Sequence, residues 1–383
     1  MGGIGIVTLI PVFAKGWSVE FGTAALAITF YMTPYILIQV FSGSIAQIFD
    51  VRKTLFFGFA TYALGGFLCG LSPNLSALLG SRVVQGVGAA FLTPVIMALI
   101  GELVPERHVG KAIGILGLAY TVGVTLGPLI SGWIEVRYGW PGFFYFLAVL
   151  SVVAGVLYGI SSEVTRREKD EHAGLLAIFP VLRQALVQPG VLYLSFSAFS
   201  LFIGYIGIMT FTADHLKSNL NLPSDQIGAV LSVTGFSGII VSPIAGFLGD
   251  RLGRRNVFLG GTVIALTAIA LMACVTYSYS TYLVLFLVLG TGAATAWTSL
   301  NTMAVQISVS LRKPVTSVYN AIKFTGYALS PVILSVIYGP FHLRAVQFGC
   351  MGAVVISSFL APMAKAQPQK AYEGEGQKTI HVA

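Results

Sequence analysis

Apolar stretches close to 20 residues long, the length a helix needs to cross the hydrocarbon core of a bilayer, recur along this chain. Examples are "LFFGFATYALGGFLCGL" from Leu55 and "VFLGGTVIALTAIALMACV" from Val257. In lipid, such a segment satisfies its backbone polar groups only by becoming a helix. Twelve can be counted, at roughly 1–14, 23–43, 54–71, 76–101, 110–134, 142–162, 191–213, 225–249, 256–276, 281–309, 315–338 and 345–365. With 56% hydrophobic and 9% charged residues among 383, the chain has too little polar surface to clothe a water-facing particle. The expected class is an all-α polytopic membrane protein.

The net charge of +8 is read through its location. On the helix map, sixteen of the 22 Lys and Arg fall on one side. Four fall on the other (Lys15, Arg137, Lys217 and Arg344), and Arg82 and Lys323 lie within spans. This is the positive-inside pattern, so the basic side is expected to face the cytoplasm, with both termini there. The excess charge therefore reports topology, and no nucleic-acid partner is expected. Cys69, Cys274 and Cys350 lie in or beside spans without metal-ligand spacing and are expected to pack as small apolar groups.

The chain also repeats. "GSIAQIFDVRK" from Gly43 follows the second span as "GFLGDRLGRRN" from Gly246 follows the eighth, 203 residues on. "GVTLGP" at Gly123 and "GYALSP" at Gly326 are separated by the same 203. One shift thus relates two six-helix halves, expected at 1–162 and 191–365, with a central loop at 163–190 and a polar tail at 366–383. The same shift leaves the first helix about a dozen residues short of its counterpart, so either the start is misassigned or the first helix is expected to be truncated.

On these residues the chain resembles the major facilitator superfamily. That family's loop signature, Gly-x-x-x-Asp-Arg-x-Gly-Arg-Arg, is complete at Gly246, Asp250, Arg251, Gly253, Arg254 and Arg255. The resemblance implies two pseudo-symmetric six-helix bundles and a latch between them: the Asp250 carboxylate facing the positive N-terminal pole of the fifth span, near Gly110. In the first copy, Gly43 and Arg52 remain, but Gln47 stands where the acid is expected and Asp50 where glycine is expected. An uncharged Gln grips a helix pole less well, so the latch is expected to be lopsided unless Asp50 takes over; Glu102 is a further candidate member.

"LLGSRVVQGVGAA" places Arg82 inside the fourth span. It resembles the family's Arg-x-x-x-Gly signature of proton-coupled members, matching at Arg82, Gln85 and Gly86. A charge at that depth is expensive and usually functional, though snorkelling to the surface is the alternative. "GLAYTVGVTLGPLISGW" resembles the signature associated with exporters at Gly123, Gly127, Pro128 and Gly132, where small residues every four or five positions leave a groove. Lys323 lies eight residues inside span eleven, about 12 Å deep at 1.5 Å per residue; it either faces a central cavity or snorkels outward. Tyr31, Gln39, Tyr120, Tyr205, Trp297, Asn301, Asn320 and Tyr327 are candidate cavity residues.

All fourteen acids fall in loops or at span ends, so Glu135 and Asp214, on the outer side, are the nearest candidates for a proton site. All five histidines are likewise assigned to loops or the tail, and no Gly-x-x-x-x-Gly-Lys-Ser/Thr occurs, so neither a membrane-embedded enzyme nor a nucleotide-driven pump is expected. No cofactor or metal site is expected. The resemblance implies a monomeric secondary transporter of the plasma membrane, in contact with lipid, exporting small amphipathic molecules in exchange for protons. A carrier of organic anions or metabolites and a non-transporting sensor or scaffold are the alternatives.

Overall fold

In the computed structural model, residues 1–161, 178–274, 278–308 and 311–364 are described, and their regular structure is entirely helical. The surroundings of Gly43, the side chains of Gln47 and Glu102 and all residues of the tail from 365 onward lie outside what is described. A 3-10 turn at Gly5–Thr8 precedes α1 (Ile10–Gly16), α2 (Phe21–Phe49), α3 (Val51–Gly70), α4 (Leu75–Ala90), α5 (Thr93–Leu103), α6 (Glu106–Tyr138) and α7 (Trp140–Ser161). After the central stretch follow α8 (Ile178–Val187), α9 (Val191–Ser218), α10 (Ser224–Leu252), α11 (Arg254–Cys274), α12 (Tyr279–Gln306) and α13 (Arg312–Met363).

Among the described residues nine stretches are long and apolar enough to cross a membrane, one of them running from α4 into α5. The difference from twelve has local causes. The expected first span is a 3-10 turn and a seven-residue helix that restarts at Pro11, a residue suited to a first helical turn because it has no N–H to give. The fourth span is still counted, as Leu75–Ile96, although its helix breaks at Phe91 and Leu92, because Pro94 in the first turn of α5 cannot bond back to Ala90. Spans eleven and twelve are both present within α13, as two helices that meet at a break at His342, where φ is 58° just after Pro340, between the two expected spans. The helix α3 starts on Arg52 and Lys53, which dilute its apolar run.

One amphipathic helix was not expected: α8, inside the stretch assigned to the central loop, lays Leu182 and Ala185 on Val191, Val315 and Val318. Two histidines assigned to loops are helical instead, His108 in the first turn of α6 and His215 near the end of α9. Of the cysteines, Cys69 and Cys350 are buried as expected of packing groups, whereas Cys274 is exposed at the end of α11.

Within the first half α2, α3 and α4 pack together and α7 covers α3; within the second, α9 packs on α13 and α12 on α10 and α11. The two halves meet along α2 with α13 and α6 with α10. The repeat is visible in the backbone: Asp50, between α2 and α3, has φ 83° and ψ 127°, and Gly253, between α10 and α11, has φ 86° and ψ 134°. The first residues thread the interior: the Thr8 hydroxyl donates to the Pro128 carbonyl at 3.3 Å and the Ser131 hydroxyl to that of Gly5 at 2.7 Å.

Candidate functional site: a crevice between the halves

Hereafter "the basic end" is the end that carries the loops rich in Lys and Arg. At the opposite end the halves are closed. There the Phe21 ring sits 5.4 Å from Phe211 and 5.7 Å from Tyr338, across the boundary between α2 and the second half. Gly132 allows the same closure on the other side of the bundle, since a methyl group there would overlap the backbone carbonyl of Ser224. Gly228 approaches the Pro128 carbonyl in the same way. The small residues of the α6 stripe therefore admit α10 of the other half, while Gly123 and Gly127 face Met1. Deeper in, the Thr29 hydroxyl donates to the Ala328 carbonyl at 2.6 Å.

Toward the basic end the helices part. Gly117, Leu118, Ala119 and Tyr120 are four successive exposed residues of α6, and a helix exposed right around its circumference has open space on both sides. Tyr120, 55% exposed, nonetheless lies near Tyr31, Tyr35, Tyr205 and Tyr327. These tyrosines come from both halves, so the space Tyr120 faces lies between them. The Tyr205 hydroxyl donates to Thr234 at 3.0 Å and its ring stands edge-on to Trp297 at 5.4 Å. Asn301 is exposed and accepts from the Tyr319 hydroxyl at 2.9 Å. Gln39 is half-buried on α2.

The two intramembrane cations are both buried, and neither snorkels. Arg82 is fully enclosed: Nε donates to the Ala27 carbonyl (3.1 Å), Nη1 to Gln85 (2.5 Å) and Nη2 to the Gly2 carbonyl (3.1 Å), with the Tyr31 ring 4.1 Å from its guanidinium carbon. It ties the start of the chain, α2 and α4 together, and Gly86 lets α4 touch the Tyr31 backbone. Lys323 is 8% exposed. Its ammonium donates to Asn320 at 2.7 Å and lies 4.7 Å, 5.1 Å and 5.7 Å from the ring centres of Phe324, Tyr319 and Phe202.

At the basic end the loop signature is open. Asp250 is exposed and pairs with Arg254, the first residue of α11, which also donates to the Gly246 carbonyl at 2.9 Å. Arg251 stacks on Phe247 at 4.3 Å and Arg255 is exposed. In the first copy the Asp50 carboxylate caps α3, accepting from the backbone N–H of Arg52 (2.7 Å) and Lys53 (3.3 Å). Arg52 itself reaches the Gly159 carbonyl at 3.5 Å. Asp214 and Glu135 both lie at the closed end: Asp214 accepts from Tyr338 (2.5 Å) and Ser218 (3.1 Å), and Glu135 is half-buried three residues before the end of α6.

Residues 1–213 and 194–379 each match the profile of the Major Facilitator Superfamily. The chain belongs to the Major Facilitator Superfamily. Members of this family are membrane transporters, and the chain is a multi-pass membrane protein. It is 24% identical over 292 residues to the riboflavin transporter RibZ of Clostridioides difficile (strain 630), covering 64% of each chain. It is 25% identical over 327 residues to the uncharacterized MFS-type transporter YhcA of Bacillus subtilis (strain 168), covering 71% of this chain and 60% of that one. To the multidrug resistance protein B homolog of Mycobacterium tuberculosis (strain ATCC 25618 / H37Rv) it is 24% identical over 314 residues, covering 67% of this chain and 58% of the relative. The alignments thus span between 58% and 64% of these relatives' lengths.

Several residues of this facilitator's crevice were missed from sequence: Tyr35, Phe202, Tyr319 and Phe324 around the midplane, and Phe21, Phe211 and Tyr338 at the closed end. A partial signal existed. Tyr319, Lys323 and Tyr327 recur every four residues, as do Tyr31 and Tyr35, which puts each set on one helix face.

Proposed function

We propose that this protein is a secondary transporter of the plasma membrane that works by alternating access, exporting small amphipathic compounds in exchange for protons. The observation that carries the reading is the crevice itself, closed at one end by Phe21, Phe211 and Tyr338 and open at the basic end past Tyr120. By the positive-inside rule the basic end is cytoplasmic. An aromatic-lined site near the midplane that is reachable from one side at a time is what rocking of two halves requires. Support for the substrate class comes from the relative named as a multidrug resistance protein B homolog and from the α6 stripe.

Asp214 is the group best placed to link a proton to the gate. Its carboxylate holds the hydroxyl of Tyr338, whose ring packs on Phe21 of the other half. A proton taken from outside would occupy the carboxylate, weaken its hold on the tyrosine and loosen the closure; His215 and Ser218 are its polar neighbours. When the closed end opens, the basic end shuts, and Asp250 exchanges Arg254 for the start of α6. The test is flux: the purified chain in proteoliposomes, with an imposed pH gradient, should move an amphipathic dye faster than protein-free vesicles do. Equal rates would leave only a sensor or scaffold.

A further inference from the structure

The two buried cations differ in what they still have to offer. Every nitrogen of the Arg82 guanidinium already holds an acceptor and its face is covered by Tyr31. An ammonium has three N–H donors, and the described residues give Lys323 one acceptor, Asn320. Its other neighbours are ring faces, which attract a cation but accept no conventional hydrogen bond. One turn farther along the same face, the hydroxyl of Tyr327 is buried and has no hydrogen-bond partner among the described residues. Among the described residues no carboxylate competes for either group: α2, α12 and α13 carry no Asp or Glu, and α6, α9 and α10 carry them only near their ends.

We infer that the central crevice takes aromatic anions, with Lys323 as the anchor for the negative group, Tyr327 as its second donor, and Phe202, Phe324 and Trp297 as the walls for the ring. The inference rests on the transport reading only for the crevice being the substrate's path; it adds the charge. The rings fit the role. Phe202 stands 6.2 Å from both Trp297 and Phe324, and Tyr35 reaches Phe324 from the other half at 5.7 Å. A planar ligand seated among them would touch both halves. A cationic amphiphile would instead meet an ammonium with no described acid to offset it, so the site discriminates by sign as well as by shape. Arg82, its nitrogens already holding acceptors, serves as a clip between helices.

The experiment uses three probes with one ring system: 2-naphthoate, its neutral amide and 2-naphthylmethylammonium. Each is measured twice, for equilibrium binding to the full chain in nanodiscs and for flux in proteoliposomes. The expected order of affinity is carboxylate, amide, ammonium. Lys323→Gln should weaken the carboxylate by about 30-fold or more, as removal of one partner of a buried charge pair does, and should bring the three probes together. Lys323→Arg should keep the order. Should Lys323→Gln unfold, Asn320→Asp, which supplies an internal counter-ion, should also abolish the carboxylate preference. Carboxylate binding no tighter than amide binding, or a preference that survives both neutralising variants, overturns the inference. The two readings fail separately: carboxylate preference without flux of any probe sinks transport alone, while flux of the amide without carboxylate preference sinks the anion site alone.

Discussion

The junction between α2 and α3 offers a quantitative test of how the two halves diverged. Asp50 occupies φ 83°, ψ 127°, the conformation that Gly253 adopts in the second half. Residues other than glycine held in such sparsely populated regions cost on the order of 1–3 kcal/mol. Asp50 offsets part of that by accepting the first N–H groups of α3. Replacing an Asp cap by Gly costs only a few tenths of a kcal/mol, whereas replacing it by Ala costs roughly 0.5–2 kcal/mol. Allowing about 0.5–1 kcal/mol for the greater freedom of glycine in the unfolded chain, Asp50→Gly should be neutral or stabilising by about 1 kcal/mol. Asp50→Ala keeps the strain and loses the cap, so it should cost about 1 kcal/mol. The two variants should therefore separate by about 2 kcal/mol. In the second copy Gly253→Ala gains the strain with no cap to offset it and should be destabilising. The assay is thermal unfolding in detergent, read by a thiol-reactive fluorophore that reports buried Cys69 and Cys350 once exposed Cys274 has been blocked. If Asp50→Gly unfolds at or below the temperature of Asp50→Ala, the backbone strain assigned to Asp50 is wrong.

Arg82→Ala leaves the Ala27 and Gly2 carbonyls and Gln85 without their donor, so it should lower stability by roughly 3 kcal/mol or more. Arg82→Lys should recover little of that loss, because one ammonium cannot reach three separated acceptors; the same unfolding assay reads both. Gly132→Leu forces a side chain into the Ser224 backbone and should open the closed end, seen as slower disulfide formation between Gly22→Cys and Ser335→Cys, which adjoin there. Asp214→Asn should remove the response of flux to an imposed pH gradient while leaving exchange at equal pH; a retained response would move the coupling site elsewhere. Tyr338→Phe should weaken the same response without changing any charge.

Much of the fold was legible from residues alone because its signals are local. A run such as Val257–Val275 announces a span by its own hydropathy, and the 203-residue shift between Gly43 and Gly246 announces two halves by identity at fixed spacing. Prolines mark where such reading slips. Pro94 divides one expected span, because hydropathy over a window is blind to a single missing N–H, whereas the Pro340–His342 break falls between two expected spans. The helix α8 escaped because a ten-residue amphipathic segment is too short and too polar on one side to register as a span.

The sequence by itself determined the class and the family signature, and it placed two cations within expected spans. It also named both possible fates of each cation without deciding between them. That decision belongs to tertiary structure, since the acceptors of Arg82 come from Gly2 and Ala27 and one ring beside Lys323 from Phe202 on a different helix. Which end of the crevice is shut is of the same kind: Phe21 meets Tyr338, and Gly132 meets Ser224, only when the halves are packed. A buried charge or a gate is defined by the neighbours that replace water around it, and in a two-lobed bundle those neighbours lie on helices far apart in the chain.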